Sequence, residues 1–400
     1  MKAIILCAGK STRLYPLTLT CPKPLIKIVN KTILEHNLEA LQGLVDEVIL
    51  VVGYKKEMII EKFGNKFGKI KISYVEQVEQ LGTGHAVLCA KKFLTKDERF
   101  LIIPGDDLFS KVDIKNCLKH DFAILCKEVN DPQNWGIINV DKNDFMTSIE
   151  EKPKTSKSNL ASTGFMIVDY NLFDLLVKEK KTVRGEIEIP SALNVLCKKE
   201  KFKCVKVIDF WLPIGYPWHI IEANEFLLIR IKKNEVKGKI HKNVSIDGKI
   251  IIGKNSEILP GVIIEGNLVV GENTKIGPNC YIRGSTTIGD NCKVGQAVEV
   301  KNSVLFDNAK IPHLSYVGDS VIGNNANLGA GTIVANLRHD NTNVRSMVKE
   351  NLVDSGRRKF GAVVGDNVHT GINTSILPGR KIWPNLTTRP GEVVDKDKLE

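Results

Sequence analysis

Residues 264–300 read IEGNLVVGENTKIGPNCYIRGSTTIGDNCKVGQAVEV, a stretch in which an aliphatic residue returns at every sixth position. The series begins earlier and runs without a miss through Ile240, Ile246, Ile252, Ile258, Ile264, Val270, Ile276, Ile282, Ile288, Val294 and Val300. A period of six fits neither an α-helix nor a flat strand. It predicts a triangular β-helix, in which each repeat forms one face of a coil and points its aliphatic side chain into the prism.

Glycine follows many of these aliphatic residues directly. Five such glycines are Gly253, Gly271, Gly277, Gly289 and Gly295. We expect them at the corners of the coils, where the backbone needs a positive φ. The rhythm breaks between about residues 337 and 362, where residues 338–358 are polar and charged, and it returns at Val364, Ile376 and Ile382. The interrupted stretch is predicted to leave the coil as a loop.

The first half of the chain instead alternates short apolar runs with segments of helical spacing. The apolar runs lie at residues 3–8, 48–52, 72–75, 100–103, 122–126 and 165–168. This alternation predicts an α/β domain with a Rossmann-like, mostly parallel mixed sheet. A last helix is expected over residues 217–233, so we place the domains at residues 1–235 and 236–400.

Composition narrows the class of partner. Lysine and arginine outnumber aspartate and glutamate by 57 to 46, which gives a net charge of +11 and predicts an anionic partner. The charges are scattered and aromatic residues make up only 6% of the chain, which argues against nucleic acid. Phosphorylated small molecules are the favoured partners.

Cysteine usage and hydropathy predict the compartment. The nine cysteines form no CxxC pair, which predicts reduced thiols and argues against a zinc site. No apolar stretch approaches membrane length, and the N-terminal apolar run is too short for the core of a signal peptide. We therefore expect a cytoplasmic protein without a membrane partner.

Residues 6–25 read LCAGKSTRLYPLTLTCPKPL. An apolar strand runs into Ala8 and Gly9, so small residues let backbone N–H groups close around phosphate oxygens while nearby lysine and arginine supply positive charge. The segment is not a Walker loop, because Ile4 stands where that loop needs glycine. It is not a dinucleotide fingerprint either, because it holds one glycine where three are needed.

This segment resembles the signature of the sugar-1-phosphate nucleotidyltransferases. The resemblance implies that Arg13 and Lys23 are catalytic and bracket a nucleoside triphosphate. Residues 77–86, QVEQLGTGHA, resemble the base-recognition loop of that family, and residues 105–107, Gly-Asp-Asp, resemble its metal-binding turn. The implied nucleotide-binding residues are Ala8, Gly9, Gln77, Gly82 and Thr83, the implied Mg²⁺ ligand is Asp106, and the implied sugar-phosphate residues are Gly136, Glu151 and Lys152.

The resemblance has two departures. Many relatives carry a second metal-binding Asp or Asn where this chain has Pro213, which cannot bind metal, and Asp209 is the nearest candidate substitute. Ser162 stands where relatives that select N-acetylglucosamine often place asparagine. The strength of nucleotidyl transfer and the choice of sugar therefore stay open at this point.

The second half resembles another catalytic domain. Residues 312–319, PHLSYVGD, are similar to a segment of the left-handed β-helix acetyltransferase domain in the family of bifunctional N-acetylglucosamine-1-phosphate uridyltransferase/glucosamine-1-phosphate acetyltransferases, archaeal members included. The resemblance implies that His313 is the general base, because neutral imidazole titrates near the operating pH. It implies sugar-phosphate contacts from Arg283, Lys301, Tyr316 and Asn327, and acetyl-CoA or amine contacts from Ala330, Asn336, Lys359 and Arg389. Ile372 replaces a serine of the bacterial members.

These resemblances imply a bifunctional enzyme. It would acetylate glucosamine 1-phosphate with acetyl-CoA and then transfer a nucleotidyl group from UTP or dTTP to the product, with Mg²⁺ as cofactor. The resemblance also implies a homotrimer or a multiple of it. Two alternatives stay open: nucleotidyl transfer alone, making dTDP-glucose or UDP-glucose, and a noncatalytic regulatory or scaffold subunit.

Overall fold

The computed structural model describes residues 1–182 and 185–400. The chain forms two compact units. The first unit comprises Met1–Lys10, Pro22–Leu25 and Ile33–Pro213, and the second comprises Ser11–Cys21, Ile26–Thr32 and Ile214–Glu400. The division at residues 235 and 236 stays a prediction.

The strands that begin before residue 214 are β1 (Lys2–Cys7), β2 (Lys27–Ile28), β3 (Lys31–Thr32), β4 (Glu47–Val52), β5 (Lys66–Phe67), β6 (Ile70–Glu76), β7 (Arg99–Pro104), β8 (Asp107–Phe109), β9 (Ala123–Glu128), β10 (Gly136–Val140), β11 (Met146–Glu151), β12 (Leu160–Asp169), β13 (Lys203–Lys206) and β14 (Trp211–Pro213). The helices are α1 (Ile33–Leu41), α2 (Lys56–Phe63), α3 (Thr83–Cys89), α4 (Lys111–Cys117), α5 (Asn171–Leu176), α6 (Ile189–Leu196) and α7 (Pro217–Leu228). Strands β2 and β3 and helix α7 belong to the second unit.

The first unit contains the predicted mixed sheet, with strand order β11-β10-β12-β7-β1-β4-β6-β5, and with β9 paired to β12 and β13 paired to β9. The central strands are parallel: β1 lies between β4 and β7, and Lys2 at its start pairs with Glu47 at the start of β4 and with Phe100 near the start of β7. Buried aliphatic residues cover both faces of these central strands, as the continuous apolar runs predicted. The carboxyl ends of β1 and β7 lie side by side, and the residues that follow them are the candidates for phosphate and metal binding.

The second unit is the predicted β-helix. Its strands are β15 (Glu235–Val236), β16 (Lys239–Ile240), β17 (Ser245–Asp247), β18 (Ile250–Ile252), β19 (Glu257–Ile258), β20 (Ile263–Glu265), β21 (Leu268–Val270), β22 (Lys275–Ile276), β23 (Tyr281–Arg283), β24 (Thr286–Ile288), β25 (Lys293–Gln296), β26 (Glu299–Lys301), β27 (Val304–Leu305), β28 (Lys310–His313), β29 (Tyr316–Gly318), β30 (Val321–Ile322), β31 (Ile333–Val334), β32 (Arg345–Val348), β33 (Asn351–Asp354), β34 (Val363–Val364), β35 (Ser375–Ile376), β36 (Lys381–Ile382) and β37 (Val393–Val394).

Three parallel sheets build this β-helix. The first sheet has the order β15-β18-β21-β24-β27-β30-β34-β36, the second has β16-β19-β22-β25-β28, and the third has β17-β20-β23-β26-β29-β31-β35-β37. Residues of the six-residue series lie directly above one another, as Ile264, Ile282 and Val300 do in the third sheet. Their side chains form one continuous buried core, which confirms that the period of six describes a triangular coil.

The expectation for the glycines was wrong at four of the five positions. Gly277 has a φ of +105°, but Gly253, Gly271, Gly289 and Gly295 are not among the residues with positive φ. Asparagine takes the positive φ at many corners, including Asn255, Asn273 and Asn291. The four glycines are required because the next coil leaves no room for a side chain. A Cβ at Gly271, for example, would lie 2.2 Å from Oδ1 of Asp290 on that coil.

Two further expectations concern the ends of elements. Helix α7 ends at Leu228, short of the predicted residue 233. The interrupted stretch leaves the coil as predicted, since Val321 pairs with Val363. This stretch contains an antiparallel hairpin of β32 and β33, in which Met347 pairs with Leu352. Across the described ranges, 1–182 and 185–400, none of the helices has the length and apolar character needed to cross a membrane.

The two residues of β22 face opposite sides of the coil, and this difference gives a test of the fold. Ile276 is fully buried in the core, and its neighbour Lys275 is exposed on the outside of the same strand. We expect Ile276→Ala to lower the free energy of unfolding by about 2–5 kcal/mol, because it leaves a cavity, and Lys275→Ala to change it by less than about 0.5 kcal/mol. Urea unfolding at a fixed protein concentration measures both. Equal costs for the two variants would contradict the assigned inner and outer faces.

Candidate active sites

The structure brings Lys23 and Asp106 together in the first unit. Nζ of Lys23 donates to Oδ2 of Asp106 at 2.7 Å, and the lysine side chain is only 4% exposed. Asp106 follows the carboxyl end of β7 through Gly105, where a Cβ would lie 2.6 Å from the carbonyl oxygen of Leu6 in β1. Glycine therefore lets this turn press against β1, next to the strand that leads to Ala8 and Gly9.

The residues assigned to base recognition are also tied together. Nε2 of Gln77 donates to the carbonyl oxygen of Gly82 at 3.0 Å and lies 3.1 Å from Nδ1 of His85. Gly82 needs its φ of +92°, and a Cβ there would lie 2.7 Å from the carbonyl oxygen of Ile187. Nε2 of Gln80 donates to the carbonyl oxygen of Ala8 at 3.0 Å, so this loop is joined to the phosphate segment. Thr83 begins helix α3 in the same loop.

The three sugar-phosphate candidates of the first unit share one strand pair. Gly136 in β10 pairs with Glu151 in β11, and Lys152 follows with a φ of +46°. The amide of Lys152 donates to the carbonyl oxygen of Trp135 at 2.9 Å, which holds the turn against β10. The neighbouring Gly164 has a φ of +78°, and a Cβ there would lie 2.6 Å from Cγ of Pro104 at the end of β7.

Pro213 and Asp209 are placed by the antiparallel pair β14 and β8. Pro213 lies opposite Asp107, next to Asp106 in the chain, whereas Asp209 lies four residues further back. The carboxylate of Asp209 accepts a hydrogen bond from the Ser110 hydroxyl at the far end of β8. Asp209 precedes β14, which begins at Trp211, and its carboxylate is bonded to Ser110, three residues beyond Asp107 in the paired segment. We therefore do not expect Asp209 to replace the missing metal ligand, and this stays a prediction.

Arg13 belongs to the second unit. Its guanidinium carbon lies 5.3 Å from the ring centroid of Tyr216, and Tyr216 stacks on Trp218 with ring centroids 4.6 Å apart. Ser11 has a φ of +52°, which an L-residue adopts rarely, at the point where the chain enters this unit. The grouping of Arg13 with Lys23 and Asp106 stays a prediction.

His313 ends β28 at a corner of the coil and is exposed. The next residue, Leu314, has a φ of +48°, and its amide donates to the carbonyl oxygen of Gln296 at 3.1 Å. The Ser315 hydroxyl donates to the carbonyl oxygen of His313 at 2.7 Å and so fixes the backbone of this corner. The imidazole thus projects from a rigid turn, as a general base that must reach a substrate requires.

Successive coils bring three of the sugar-phosphate candidates together. Arg283 in β23 lies beside Lys301 in β26, and Glu299 in β26 lies beside Tyr316 in β29. Nε of Arg283 donates to Glu299 at 2.7 Å, and this hydrogen bond raises the pKa of the guanidinium. Arg283 and Lys301 therefore lie side by side on the third sheet, each paired with a carboxylate, Arg283 with Glu299 and Lys301 with Asp319.

Asp319 joins these residues, and the sequence analysis assigned it no role. Its side chain is 2% exposed and accepts hydrogen bonds from Nζ of Lys301 at 2.7 Å, from Nδ2 of Asn302 at 2.9 Å and from Nδ2 of Asn336. The same Asn336 amide lies 3.1 Å from the hydroxyl of Tyr316. Asp319 stands in the quoted segment 312–319, but a sequence does not show that three side chains from other coils converge on it.

The surroundings of Tyr316 make its phenol a weaker acid than an ordinary tyrosine, which is itself protonated at neutral pH. Burial, followed by the negative charges of Asp319 and Glu299, raises the pKa of Tyr316 above its ordinary value. The phenol can therefore donate a hydrogen bond to a substrate oxygen while it accepts one from Asn336. Tyr316, Asn336 and Lys301 thus have one arrangement imposed by a single buried carboxylate.

The remaining candidates of the β-helix lie on neighbouring coils. Asn327 pairs with Lys310 in β28, three residues before His313. Lys359 precedes Phe360, whose amide donates to the carbonyl oxygen of Asn336 at 2.9 Å. The carbonyl oxygen of Ala330 accepts from the amide of Asn373, and that of Ile372 accepts from the amide of Gly391, which is close to Arg389. The assignment of Asn327 to the sugar, and of Ala330, Lys359 and Arg389 to coenzyme A, stays a prediction.

Comparison with known proteins finds two families along the chain. Residues 2–230 match the nucleotidyl transferase family, and residues 264–389 match the GMPPB C-terminal domain. A crystal structure of UDP-glucose pyrophosphorylase complexed with UDP-glucose superimposes with a TM-score of 0.53 and 25% identity, over 57% of this chain and 99% of that one.

Relatives also match over the full length. The bifunctional protein GlmU of Methanocaldococcus jannaschii is 44% identical over 397 residues, which cover 99% of this chain and 95% of that protein. A bifunctional sugar-1-phosphate nucleotidylyltransferase/acetyltransferase of Sulfurisphaera tokodaii is 40% identical over 402 residues, which cover 99% of this chain and 98% of that protein. The chain therefore belongs to the family of bifunctional sugar-1-phosphate nucleotidylyltransferase/acetyltransferases, and it is an enzyme of both transferase classes.

Proposed function

We propose that this enzyme makes UDP-N-acetylglucosamine from glucosamine 1-phosphate in two steps, acetyl transfer in the β-helix and uridylyl transfer in the mixed-sheet unit. The observation that carries the proposal is the cluster around Asp319, which holds Lys301, Asn336 and Tyr316 in one arrangement on the coils next to His313. A scaffold subunit has no need of such a cluster. Full-length relatives named as bifunctional also disfavour the alternatives of a single activity or none.

In the acetyl transfer, His313 takes a proton from the substrate amine while the amine nitrogen attacks the thioester carbonyl of acetyl-CoA. The new C–N bond forms, the C–S bond breaks, and the proton on the imidazole passes to the departing thiolate. Arg283 and Lys301 bind the sugar phosphate, and Tyr316 and Asn336 orient the sugar and its amine. Ala330, Lys359 and Arg389 are assigned to coenzyme A, and Asn327 to the sugar.

In the uridylyl transfer, an oxygen of N-acetylglucosamine 1-phosphate attacks the α-phosphorus of UTP in line with the departing pyrophosphate. Lys23 and Arg13 neutralise the charge that this attack gathers on the phosphates. Gln77 reads the pyrimidine edge above Gly82, and His85 holds the amide of Gln77. Uracil and thymine present the same edge, so dTTP is a second possible donor. Gly136, Glu151 and Lys152 form the sugar station.

The residues of the nucleotidyl site fit a magnesium ion that is bound by one protein carboxylate together with substrate phosphates. Asp106 is a half-exposed carboxylate at the end of β7, and within residues 1–182 and 185–400 no group of three or more His, Cys, Asp and Glu residues could hold a metal ion. Mg²⁺ keeps several waters and is commonly bound by one or two carboxylates plus substrate phosphates. Asp106 would hold such an ion, which would supply charge neutralisation at the triphosphate.

The third sheet of the β-helix supports assembly of this chain with copies of itself. Its outer column contains Ile263, Tyr281, Glu299, Tyr316, Ile333, Ser375 and Val393, and that of the second sheet contains Lys239, Glu257, Lys275, Lys293 and Lys310. Its three aliphatic members, Ile263, Ile333 and Val393, are about half exposed, and polar or aromatic residues separate them along the column. Exposed apolar side chains on one flat face, in contrast to the lysines of the second sheet, favour this face for association. We assign this face to a homotrimer.

We place the enzyme in the cytoplasm, where its nine free thiols stay reduced.

His313 provides the test of acetyl transfer. We expect His313→Ala to lower kcat for thiol release from acetyl-CoA with glucosamine 1-phosphate by about 100-fold or more, because the general base is lost. His369 pairs with Asn327 on a neighbouring coil, and His369→Ala is the matched control with a near-normal rate. An unchanged rate in His313→Ala would contradict the assignment of the base.

Asp106 and Asp209 together test the nucleotidyl site. We expect Asp106→Asn to reduce pyrophosphate release from UTP with N-acetylglucosamine 1-phosphate by at least about 100-fold, because the only assigned metal carboxylate is lost. Asp209→Asn keeps the hydrogen bond to Ser110 and is expected to stay within about threefold of the parent. If Asp209→Asn loses activity as strongly as Asp106→Asn, the single-carboxylate site is wrong. If the parent enzyme releases no pyrophosphate with any sugar 1-phosphate, nucleotidyl transfer itself is excluded.

The assembly prediction concerns Ile333. Ile333 is one of the half-exposed aliphatic side chains of this face, and a new charge there opposes burial against a second copy, so Ile333→Glu is expected to reduce the mass in solution from a trimer to a monomer. Lys275→Glu places the same side chain on the second sheet and is expected to leave the mass unchanged. Light scattering during gel filtration measures both, and a monomeric parent protein would contradict the proposal.

A further inference from the structure

One corner of the β-helix carries a ladder of acidic and amide side chains. We call Asp290, Asp307, Asn324 and Asp366 the corner ladder, because they occupy this corner on successive coils. Oδ1 of each accepts the backbone N–H of the coil before it: Asp290 from Glu272 at 2.7 Å, Asp307 from Asp290 at 3.0 Å, Asn324 from Asp307 at 3.2 Å, and Asp366 from Asn324 at 2.7 Å. One oxygen of every side chain is thus used by the coil itself.

The second oxygen of the aspartates holds another part of the second unit. We call residues 11–21 and 26–32 the signature arm, because they contain most of the N-terminal signature and belong to this unit. Nζ of Lys27 lies 2.6 Å from Oδ2 of Asp307 and 3.7 Å from Oδ2 of Asp290. The Thr20 hydroxyl donates to Oδ2 of Asp366 at 2.8 Å. The corner ladder therefore binds both stretches of the arm.

The hairpin of the arm has a third attachment at its tip. Val29 and Asn30 connect β2 to β3 with φ values of +51° and +59°. A β-branched residue such as Val29 rarely adopts this conformation, and such conformations persist where the surroundings impose them. Nδ2 of Asn30 donates to the carbonyl oxygen of Ile288 at 2.8 Å, two residues before Asp290. The β-helix therefore fixes the tip of the turn.

Arg13 lies on the same arm. The Thr18 hydroxyl donates to the carbonyl oxygen of Ser11 at 2.9 Å, which closes the loop that contains Arg13. The guanidinium lies over the ring of Tyr216, which immediately precedes helix α7. Each of these contacts is made within the second unit, so the β-helix and its neighbouring segments determine where the arm places its arginine.

We propose that Asp307 and Asp366 are positioning residues for nucleotidyl transfer, since they fix the arm that presents Arg13 to the nucleoside triphosphate. The inference rests on the proposed function, because it requires Arg13 to act on the phosphates. It gives the β-helix a part in both reactions: it holds His313 for acetyl transfer and, through the corner ladder, Arg13 for uridylyl transfer.

Asp307→Asn removes the arm contact while it keeps the coil intact. The amide oxygen still accepts the N–H of Asp290, and the amide nitrogen faces Lys27 in place of a carboxylate oxygen. Asn324 already occupies the ladder with an amide, so the corner accommodates this side chain. Lys27→Met removes the other partner. Glu272→Gln is the matched control, because Glu272 joins the ladder through its backbone N–H and not through its carboxylate.

The experiment measures both activities of the full-length enzyme. We expect Asp307→Asn and Lys27→Met each to lower kcat for uridylyl transfer by about tenfold, because small displacements of a catalytic group are costly, with KM for the sugar 1-phosphate within about twofold. Acetyl transfer should be unchanged, and Glu272→Gln should match the parent in both assays. A uridylyl rate that Asp307→Asn leaves unchanged overturns the inference.

A second set of variants separates positioning from a general loss of structure. In an Arg13→Ala background, Asp307→Asn is expected to cause no further decrease in kcat, because the arm then has no arginine to place. A full additional decrease would mean that the ladder acts by another route, and would overturn the inference. If Arg13→Ala alone keeps the parent rate, the proposed role of Arg13 fails, and this result is distinct from failure of the ladder.

Discussion

Successive coils of the β-helix lie about 4.8 Å apart, and this spacing constrains most of what surrounds it. Aliphatic side chains fill the interior, so every corner must turn without a bulky group above it. Gly253, Gly271 and Gly289 meet this requirement, because a Cβ at each would lie within 2.6 Å of an atom on the next coil. The space that glycine leaves at Gly271 and Gly289 is occupied by the carboxylates of Asp290 and Asp307, which cap the backbone of the preceding coil.

The same spacing builds the candidate acetyl-transfer site. Residues one coil apart in the sequence become lateral neighbours, so Arg283 meets Lys301 and Glu299 meets Tyr316 without any loop to bring them together. Asp319 then satisfies the amino and amide groups that this stacking brings close. Its burial is tolerable because charged and polar donors surround the carboxylate, and removal of those donors would leave an unpaired charge in a low-dielectric site.

The sequence predicted the features that depend on local spacing. The six-residue period identified the coil because burial of Ile264, Ile282 and Val300 is imposed at every repeat, and the continuous apolar runs identified the parallel strands. Features that depend on side-chain direction were missed. Asp319 has a φ of +48°, and its carboxylate is buried among side chains from other coils, neither of which the spacing indicates. The glycines were assigned a turn conformation that asparagine mostly supplies. The pair of Lys27 and Asp307 joins residues 280 positions apart, which no periodicity indicates.

The corner ladder shows how one position serves two purposes at different coils. Capping the preceding coil needs a single acceptor, and the amide oxygen of Asn324 provides one as well as a carboxylate does. The Asn324 amide nitrogen then turns along the ladder, at 3.2 Å and 3.3 Å from the two oxygens of Asp366. Asp307 and Asp366 instead direct a second oxygen to Lys27 and Thr20. Capping of the coil therefore explains why an oxygen is needed at this corner. The arm explains the negative charge at Asp307, because only a carboxylate both caps the coil and pairs with an ammonium group.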